Sequence, residues 1–193
     1  MNAIAERPIP ATHKEIPSQP TVTLKKTTDS HQTFTNWMKW MNDPDIRTWM
    51  YDDLPSMPQD IDNWIYYATT DPLRHYFDIT AGGKTIGLVS LRQDQQPQNT
   101  GEIGIVIGEK EYQSKGVGKQ TIQQVLEYAK NTVHLTSVRA MIKPNNEKSI
   151  RLFTGVGFEE TGRVTIAGTP MVRFEKSLYV SPHPIAASPR IRK

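Results

Sequence analysis

The changes of hydrophobic period along this chain predict an α+β fold, a mixed and mostly antiparallel central sheet flanked by helices. Three observations carry that expectation. Ala81-Gly82-Gly83 joins two strand-like runs as a tight hairpin. The stretch Gln113-Ser114-Lys115-Gly116-Val117-Gly118 separates a β-branched run from a helical one. The remaining signals follow the order β-α-α-β-β-β-α-β-α-β-β, which is neither a parallel βαβ repeat nor a helical bundle.

In chain order, residues 1–20 hold Pro8, Pro10, Pro17 and Pro20 without apolar periodicity and read as a flexible arm. Thr21 to Leu24 is a short strand. Asp29-Ser30 can cap a helix carrying Phe34, Trp37, Met38 and Met41, ending near Asp43-Pro44. A turn with Ile46, Trp49 and Met50 follows. Pro58 suits the first position of a second helix, whose apolar face is Ile61, Trp64, Ile65 and Ala68. The hairpin pairs 75–80 with 84–91, Arg92 to Thr100 is a polar loop, and Glu102 to Gly108 is a strand. Val117, Ile122, Val125, Leu126 and Ala129 mark a helix over 116–131. Val133 to Ile142 reads as a strand, and Asn146 caps a helix with Ile150, Leu152 and Phe153. Two antiparallel strands, 158–164 and 170–180, complete a domain spanning 21–180. Residues 181–193, with Arg190, Arg192 and Lys193, read as a flexible basic tail.

Composition narrows the function classes. The chain has 193 residues and no cysteine, which excludes a disulfide framework, a thiolate zinc site and a thiol nucleophile. No apolar run approaches the roughly 20 residues that span a bilayer. The first residues lack a signal-peptide apolar core, so a soluble, cytoplasmic protein is expected. Lys and Arg total 23 against 20 acidic residues, too dispersed a surplus for nucleic-acid binding. No nucleic-acid, membrane or metal partner is expected.

The loop at 113–118 is where chemistry concentrates. Glycines at 116 and 118 let backbone N–H groups approach a ligand, and a helix start offers free donors and partial positive charge suited to phosphate. Lys115 and Lys119 add cations. Neither G-x-x-x-x-G-K-[ST] nor G-x-G-x-x-G is present. Alone, the loop fits either an anion site or a plain strand-to-helix turn.

Two flanking runs favour the anion site. Glu102-Ile103-Gly104-Ile105-Val106-Ile107-Gly108 lies upstream, and Asn146-Glu147-Lys148-Ser149-Ile150-Arg151-Leu152-Phe153, leading to Gly157-Phe158, lies downstream. With Gln113, Gly116 and Gly118, these runs resemble the GNAT superfamily of N-acetyltransferases. Within it they are most similar to the relatives of the ribosomal-protein N-terminal acetyltransferases. The resemblance implies a sheet whose central strands splay apart and an acetyl-CoA cosubstrate lying in the gap. Backbone groups of Val106, Ile107 and Gly108 would meet the pantetheine arm, and the amides of Gln113, Ser114, Lys115, Gly116, Val117, Gly118 and Lys119 the pyrophosphate. Asn146 would bond the arm, and Phe153 would sit beside it. A homodimer is also compatible with the resemblance.

Acetyl transfer to an amine needs a base, an oxyanion donor and a proton for the leaving thiolate. Glu102 is the candidate base, with simple pairing to Arg92 as its alternative role. The family's tyrosine acid has no counterpart, because Phe153 occupies that position; Ser149 is the substitute candidate, and water or no acid at all is the alternative. His75 and His134 read as ordinary strand-edge residues. Trp37, Trp40, Trp49, Tyr51, Asp52, Asp53, Trp64, Tyr66 and Tyr67 fall in the region that would shape the acceptor side, and aromatic faces with carboxylates suit a cationic amine. Trp37 and Trp64 also fit a core role. The run Trp40 to Arg47 with Trp49-Met50 is similar to the start of amino-sugar acetyltransferases. A small-molecule amine such as an amino sugar is therefore the expected acceptor; a polyamine, an aminoglycoside and a protein N-terminus stay open. A non-catalytic acyl-CoA-binding module and a nucleotide-binding domain are the competing readings.

Overall fold

Glycines at 82 and 83 adopt φ of 59° and 83°, and that turn sets the register of the hairpin around which the sheet is built. β2 (Arg74–Ala81) and β3 (Lys84–Gln93) pair antiparallel, with Ala81 opposite Lys84 and Tyr76 opposite Ser90. The computed structural model describes residues 19–51, 56–97 and 99–179. The expected basic tail lies outside the described residues, as does all of the expected arm except Gln19 and Pro20. Pro20 is buried and its carbonyl accepts from Gln120 Nε2 at 3.0 Å, so this residue of the expected arm packs with the domain.

The other strands extend this hairpin into a seven-stranded sheet of order β1-β2-β3-β4-β5-β7-β6. β1 (Val22–Lys26) pairs with β2, and β4 (Thr100–Ile107) with β3, both antiparallel. β5 (Ser137–Ile142) runs parallel to β4, while β7 (Thr169–Ser177) pairs antiparallel with both β5 and β6 (Glu159–Ile166). The α+β class holds, with a single parallel junction.

Two helical layers cover the sheet. α1 (His31–Met41) is capped by Ser30, whose hydroxyl accepts from Thr33 N–H at 3.2 Å. α2 (Pro44–Arg47) is one helical turn where only a turn is expected, stabilised by Asp43 accepting from Asp45 N–H at 2.9 Å. With α3 (Pro58–Thr70), they bury Trp37, Trp40, Met41, Ile61 and Ile65 against Tyr76, Leu88 and Val106 of the sheet. α4 (Val117–Asn131) and α5 (Glu147–Thr154) belong to the second cluster, where Ile122, Val125 and Phe153 meet Ile103, Val138 and Ile142. The strand expected over 133–142 begins only at Ser137. His134 turns to φ 61° and Leu135 N–H donates back to Ala129 at 2.9 Å, so 133–135 finishes the helix instead of entering the sheet.

One knot fixes α1 to the end of β4. A Cβ at Gly108 would lie 2.2 Å from the Trp40 ring, so only glycine lets that indole close over the chain. Trp40 Nε1 then donates to Glu109 Oε1 at 3.2 Å, and the same carboxylate receives Lys39 at 2.5 Å and Lys84 at 2.7 Å. Glu109 is only 6% exposed. Burial pushes its carboxyl up, but bonds from Lys39, Lys84 and Trp40 outweigh that and hold it at about 2. Because the folded value is depressed, the stability it contributes is complete above about pH 5 and is lost as pH falls towards about 2. Glu109→Gln should therefore destabilise the domain by about 1.5–3 kcal/mol at pH 7, and urea unfolding should show this deficit shrinking as pH is lowered through that window.

Candidate functional site

The sheet opens where β4 and β5 part. Their pairing holds for Thr100 with Ser137, Gly101 with Val138 and Glu102 with Arg139, yet the strands run on to Ile107 and Ile142. Parity determines which backbone groups face the gap. Gly108 N–H donates to the Ile86 carbonyl at 2.9 Å, in register with the pairs Val106–Leu88 and Gly104–Ser90. Even-numbered residues of β4 thus direct their N–H and C=O groups to β3, and Ile105 and Ile107 turn theirs into the gap. On the far side, Leu178 N–H donates to the Thr136 carbonyl at 2.9 Å, and the same parity turns the Met141 backbone inward.

This corrects the expected arm contacts. Val106 and Gly108 bond to β3, leaving Ile107 as the expected residue that presents backbone to the gap, while Ile105 was missed. Strand alternation, read from the hairpin outward, is the signal that locates it. Val106 still lines the cavity through its side chain.

Beyond Ile107 a 3-10 turn at Lys110–Tyr112 leads to the glycine-bearing loop. The Gln113 side chain turns back and donates to the Ile107 carbonyl at 3.0 Å. Ser114 and Gly116 adopt φ of 60° and 75°. A Cβ at Gly116 would meet nothing within 4 Å, so backbone conformation, not crowding, selects glycine there. Gly118 differs: its Cβ would come 3.0 Å from Leu152 Cδ2, so this glycine seats α4 against α5. N–H groups in the first turn of α4 have no intrahelical acceptors and carry the positive end of the helix dipole. Lys119 is exposed, lines the cavity and forms no ion pair with the described residues. Lys115 is not part of the cavity wall, and the Val117 side chain is buried in the core.

α5 supplies the opposite wall. Asn146 Oδ1 accepts from Ser149 N–H at 3.1 Å, which leaves the Asn146 amide N–H₂ without a partner among the described residues. Ser149 lines the same cavity. Phe153 is buried edge-on to Phe158, with ring centroids 5.0 Å apart, and contributes an apolar wall without a proton.

The gap-facing strands, the loop from Gln113 to Lys119 apart from Lys115 and Val117, and Asn146, Ser149 and Phe153 border one cavity of about 900 Å³, a volume suited to a small-molecule site. Its second limb lies on the α1–α3 face of the sheet, lined by Trp37, Trp49, Tyr51, Trp64 and Tyr76. Trp37 and Trp64 are both core and wall, with ring centroids 3.5 Å apart. Gly104 forms the floor. It is exposed despite lying in a central strand, and a Cβ there would meet only Ser90 Oγ, at 3.0 Å. Trp40 is core, Tyr66 and Tyr67 are exposed on α3 away from the cavity, and Asp52 and Asp53 lie outside the described residues. His75 is held by Tyr128 (3.2 Å between hydroxyl and Nδ1), and neither it nor His134 reaches the cavity.

Glu102 sits where the limbs meet. Its Oε1 accepts from Tyr51 Oη at 2.9 Å and from Arg92 Nη2, and its Oε2 lies 3.3 Å from Arg139 Nε. Arg139 is bidentate to Asp94, at 2.5 and 2.7 Å. The pairing with Arg92 weighed for Glu102 is therefore present, with Arg139 and Tyr51 added. Among the described residues no cluster of three metal-ligating side chains occurs, and no helix is long and apolar enough to cross a membrane.

A family model described as an acetyltransferase (GNAT) domain matches residues 21–159. The chain belongs to this family. Among curated relatives, this GNAT domain is 33% identical over 73 residues to human alpha/beta-tubulin-N-acetyltransferase 9, covering 38% of this chain and 35% of that one. It is 26% identical over 92 residues to N-alpha-acetyltransferase RimI of Mycobacterium tuberculosis, covering 47% and 56%. The matched segments thus span about a third to a half of those relatives. Among solved structures, spermidine N-acetyltransferase from Vibrio cholerae in complex with CoA and spermine superposes with a TM-score of 0.71 at 20% identity, over 81% of this chain and 95% of that one. Aminoglycoside acetyltransferase AAC(6')-Ib in complex with coenzyme A and kanamycin gives 0.70 at 18%, over 81% and 95%. At such identities the structures speak for the GNAT fold.

Proposed function

We propose that this GNAT domain moves an acetyl group from acetyl-CoA to a primary amine by direct attack, with a small amine such as an amino sugar as acceptor. The observation that carries the proposal is the meeting of two unlike limbs at the parting of β4 and β5. One offers unpaired strand backbone, a free amide on Asn146 and the cationic start of α4; the other offers aromatic walls over the bare floor at Gly104.

Each end suits a part of the cosubstrate. The α4 N-terminus, residues 113–119 and Lys119 suit the pyrophosphate. The Ile105 and Met141 backbone, the Ile107 N–H and the Asn146 amide suit the amide-bearing arm, which would satisfy strand edges otherwise left to water. A strand-edge N–H of Ile105 or Ile107 stands ready for the oxyanion. Glu102 serves as terminal proton acceptor. Ser149, on the cavity wall at the first turn of α5, is placed to give the leaving thiolate its proton, which Phe153 cannot do.

The acceptor limb supports an amine with a largely uncharged body. Among the described residues its carboxylates are already matched, Glu102 by Arg92 and Arg139 and Asp45 by Lys110 at 2.7 Å. A polycation would find no surplus of negative charge there, whereas aromatic faces suit the apolar face of a sugar ring.

Free-thiol release from acetyl-CoA against a panel of glucosamine, spermidine, kanamycin and a peptide with a free N-terminus tests the reaction. CoA binding with no release on any amine would leave only a binding module. Lys119→Glu should weaken CoA by about tenfold, equivalent to about 1.4 kcal/mol, without changing the melting temperature; titration calorimetry showing full affinity would remove the loop from the site. Gly104→Leu should raise KM for the amine at least about tenfold by filling the acceptor floor, while calorimetric CoA affinity stays within about twofold.

A further inference from the structure

Tyr51 follows α2 and is half-buried against the sheet. Its hydroxyl proton is committed to Glu102 Oε1 at 2.9 Å. A phenol oxygen that has donated its one proton can still accept, and Tyr51 lines the cavity beside Ser90 and Gly104. The carboxylate behind it is less accessible: Arg92 Nη2 shares Oε1 and Arg139 Nε lies 3.3 Å from Oε2. The Tyr51 ring is also braced, with the Arg92 guanidinium 6.0 Å from its centroid. Both Glu102 oxygens are thus already engaged, whereas the Tyr51 oxygen, on the wall of the same cavity as Gly104, keeps the capacity to accept from an amine.

We propose that the Tyr51 hydroxyl is the catalytic group that contacts the acceptor amine and relays its proton to Glu102. The inference rests on the acetyl-transfer reading and on Glu102 as terminal acceptor. As one ammonium proton passes to Tyr51 oxygen, the phenol proton passes to the Glu102 carboxylate. The freed nitrogen lone pair attacks the thioester carbonyl carbon, the C–N bond forms and the C–S bond breaks. The second amine proton goes to the departing thiolate, directly or through Ser149, and the proton on Glu102 returns to water after the amide leaves. The groups facing Tyr51 are Glu102 on β4, Arg92 on β3 and Arg139 on β5, with the Tyr76 hydroxyl of β2 next to Arg92. Burial first, then the charge and hydrogen bond of Glu102, push the Tyr51 phenol well up. It stays protonated across the working range and acts by accepting as it donates.

The experiment uses the full chain, acetyl-CoA and the amine of the panel above with the fastest thiol release, comparing Tyr51→Phe, Glu102→Gln and the double variant from pH 6 to 10. Tyr51→Phe should lower kcat by about a hundredfold at neutral pH, with calorimetric CoA affinity and melting temperature unchanged. The deficit should narrow as pH rises and free amine accumulates, and the double variant should be no slower than the slower single. Near-normal kcat for Tyr51→Phe beside a slow Glu102→Gln would overturn the relay alone. A pH-independent loss, or losses that multiply in the double variant, would also overturn it. Two silent variants would remove Glu102 as the acceptor together with the relay. No release on any amine would overturn the acetyl-transfer reading as well.

Discussion

The parting of β4 and β5 after Glu102 and Arg139 is the constraint on which the rest of the molecule depends. A sheet that stops pairing while its strands continue leaves backbone donors and acceptors unsatisfied, which folded proteins rarely tolerate away from water or a ligand. Here the exposed edges are Ile105, the N–H of Ile107 and Met141, and other parts of the fold keep them apart. β3 holds β4 through Gly87 opposite Ile107. β7 holds β5 through Val172 opposite Ile142. The Trp40–Gly108–Glu109 knot anchors the far end of β4 to α1. The opening is thus built by strong pairing on both outer sides, not by a locally weak sequence.

Much of this was legible in the chain. Period-two runs around Gly82-Gly83 located the hairpin, and Ser30 and Asn146 marked helix starts that the structure places one residue later. The loop at 113–118 stood out through its glycines, although the two have different reasons. Gly116 answers a backbone angle and Gly118 answers Leu152. That difference depends on where α5 packs, which the sequence near Gly118 does not encode. The strand expected from Val133 failed because β-branched and apolar residues at 133–135 carry a helix C-terminus, and the left-handed turn at His134 has no glycine to announce it.

At the site, residue types were easier to read than partners. Glu102, Asn146, Ser149 and Phe153 all border the cavity. Parity across β3 and β4, which separates Ile105 from Val106, is a property of register and emerges only once the sheet is assembled. The four-membered charge network of Glu102, Arg92, Arg139 and Asp94 likewise joins three strands and a loop. It alters the acceptor limb from the acidic, aromatic surface that composition suggests to a near-neutral one among the described residues.

The bond from the Gln113 side chain to the Ile107 carbonyl has a consequence for measurement. It closes the chain between the strand edge and the helix start into a short strut of fixed span. The thioester end and the diphosphate end of a bound cosubstrate would be gripped by opposite ends of that strut. On the proposed reading, a thioester on a longer or shorter arm would satisfy one end only by giving up the other.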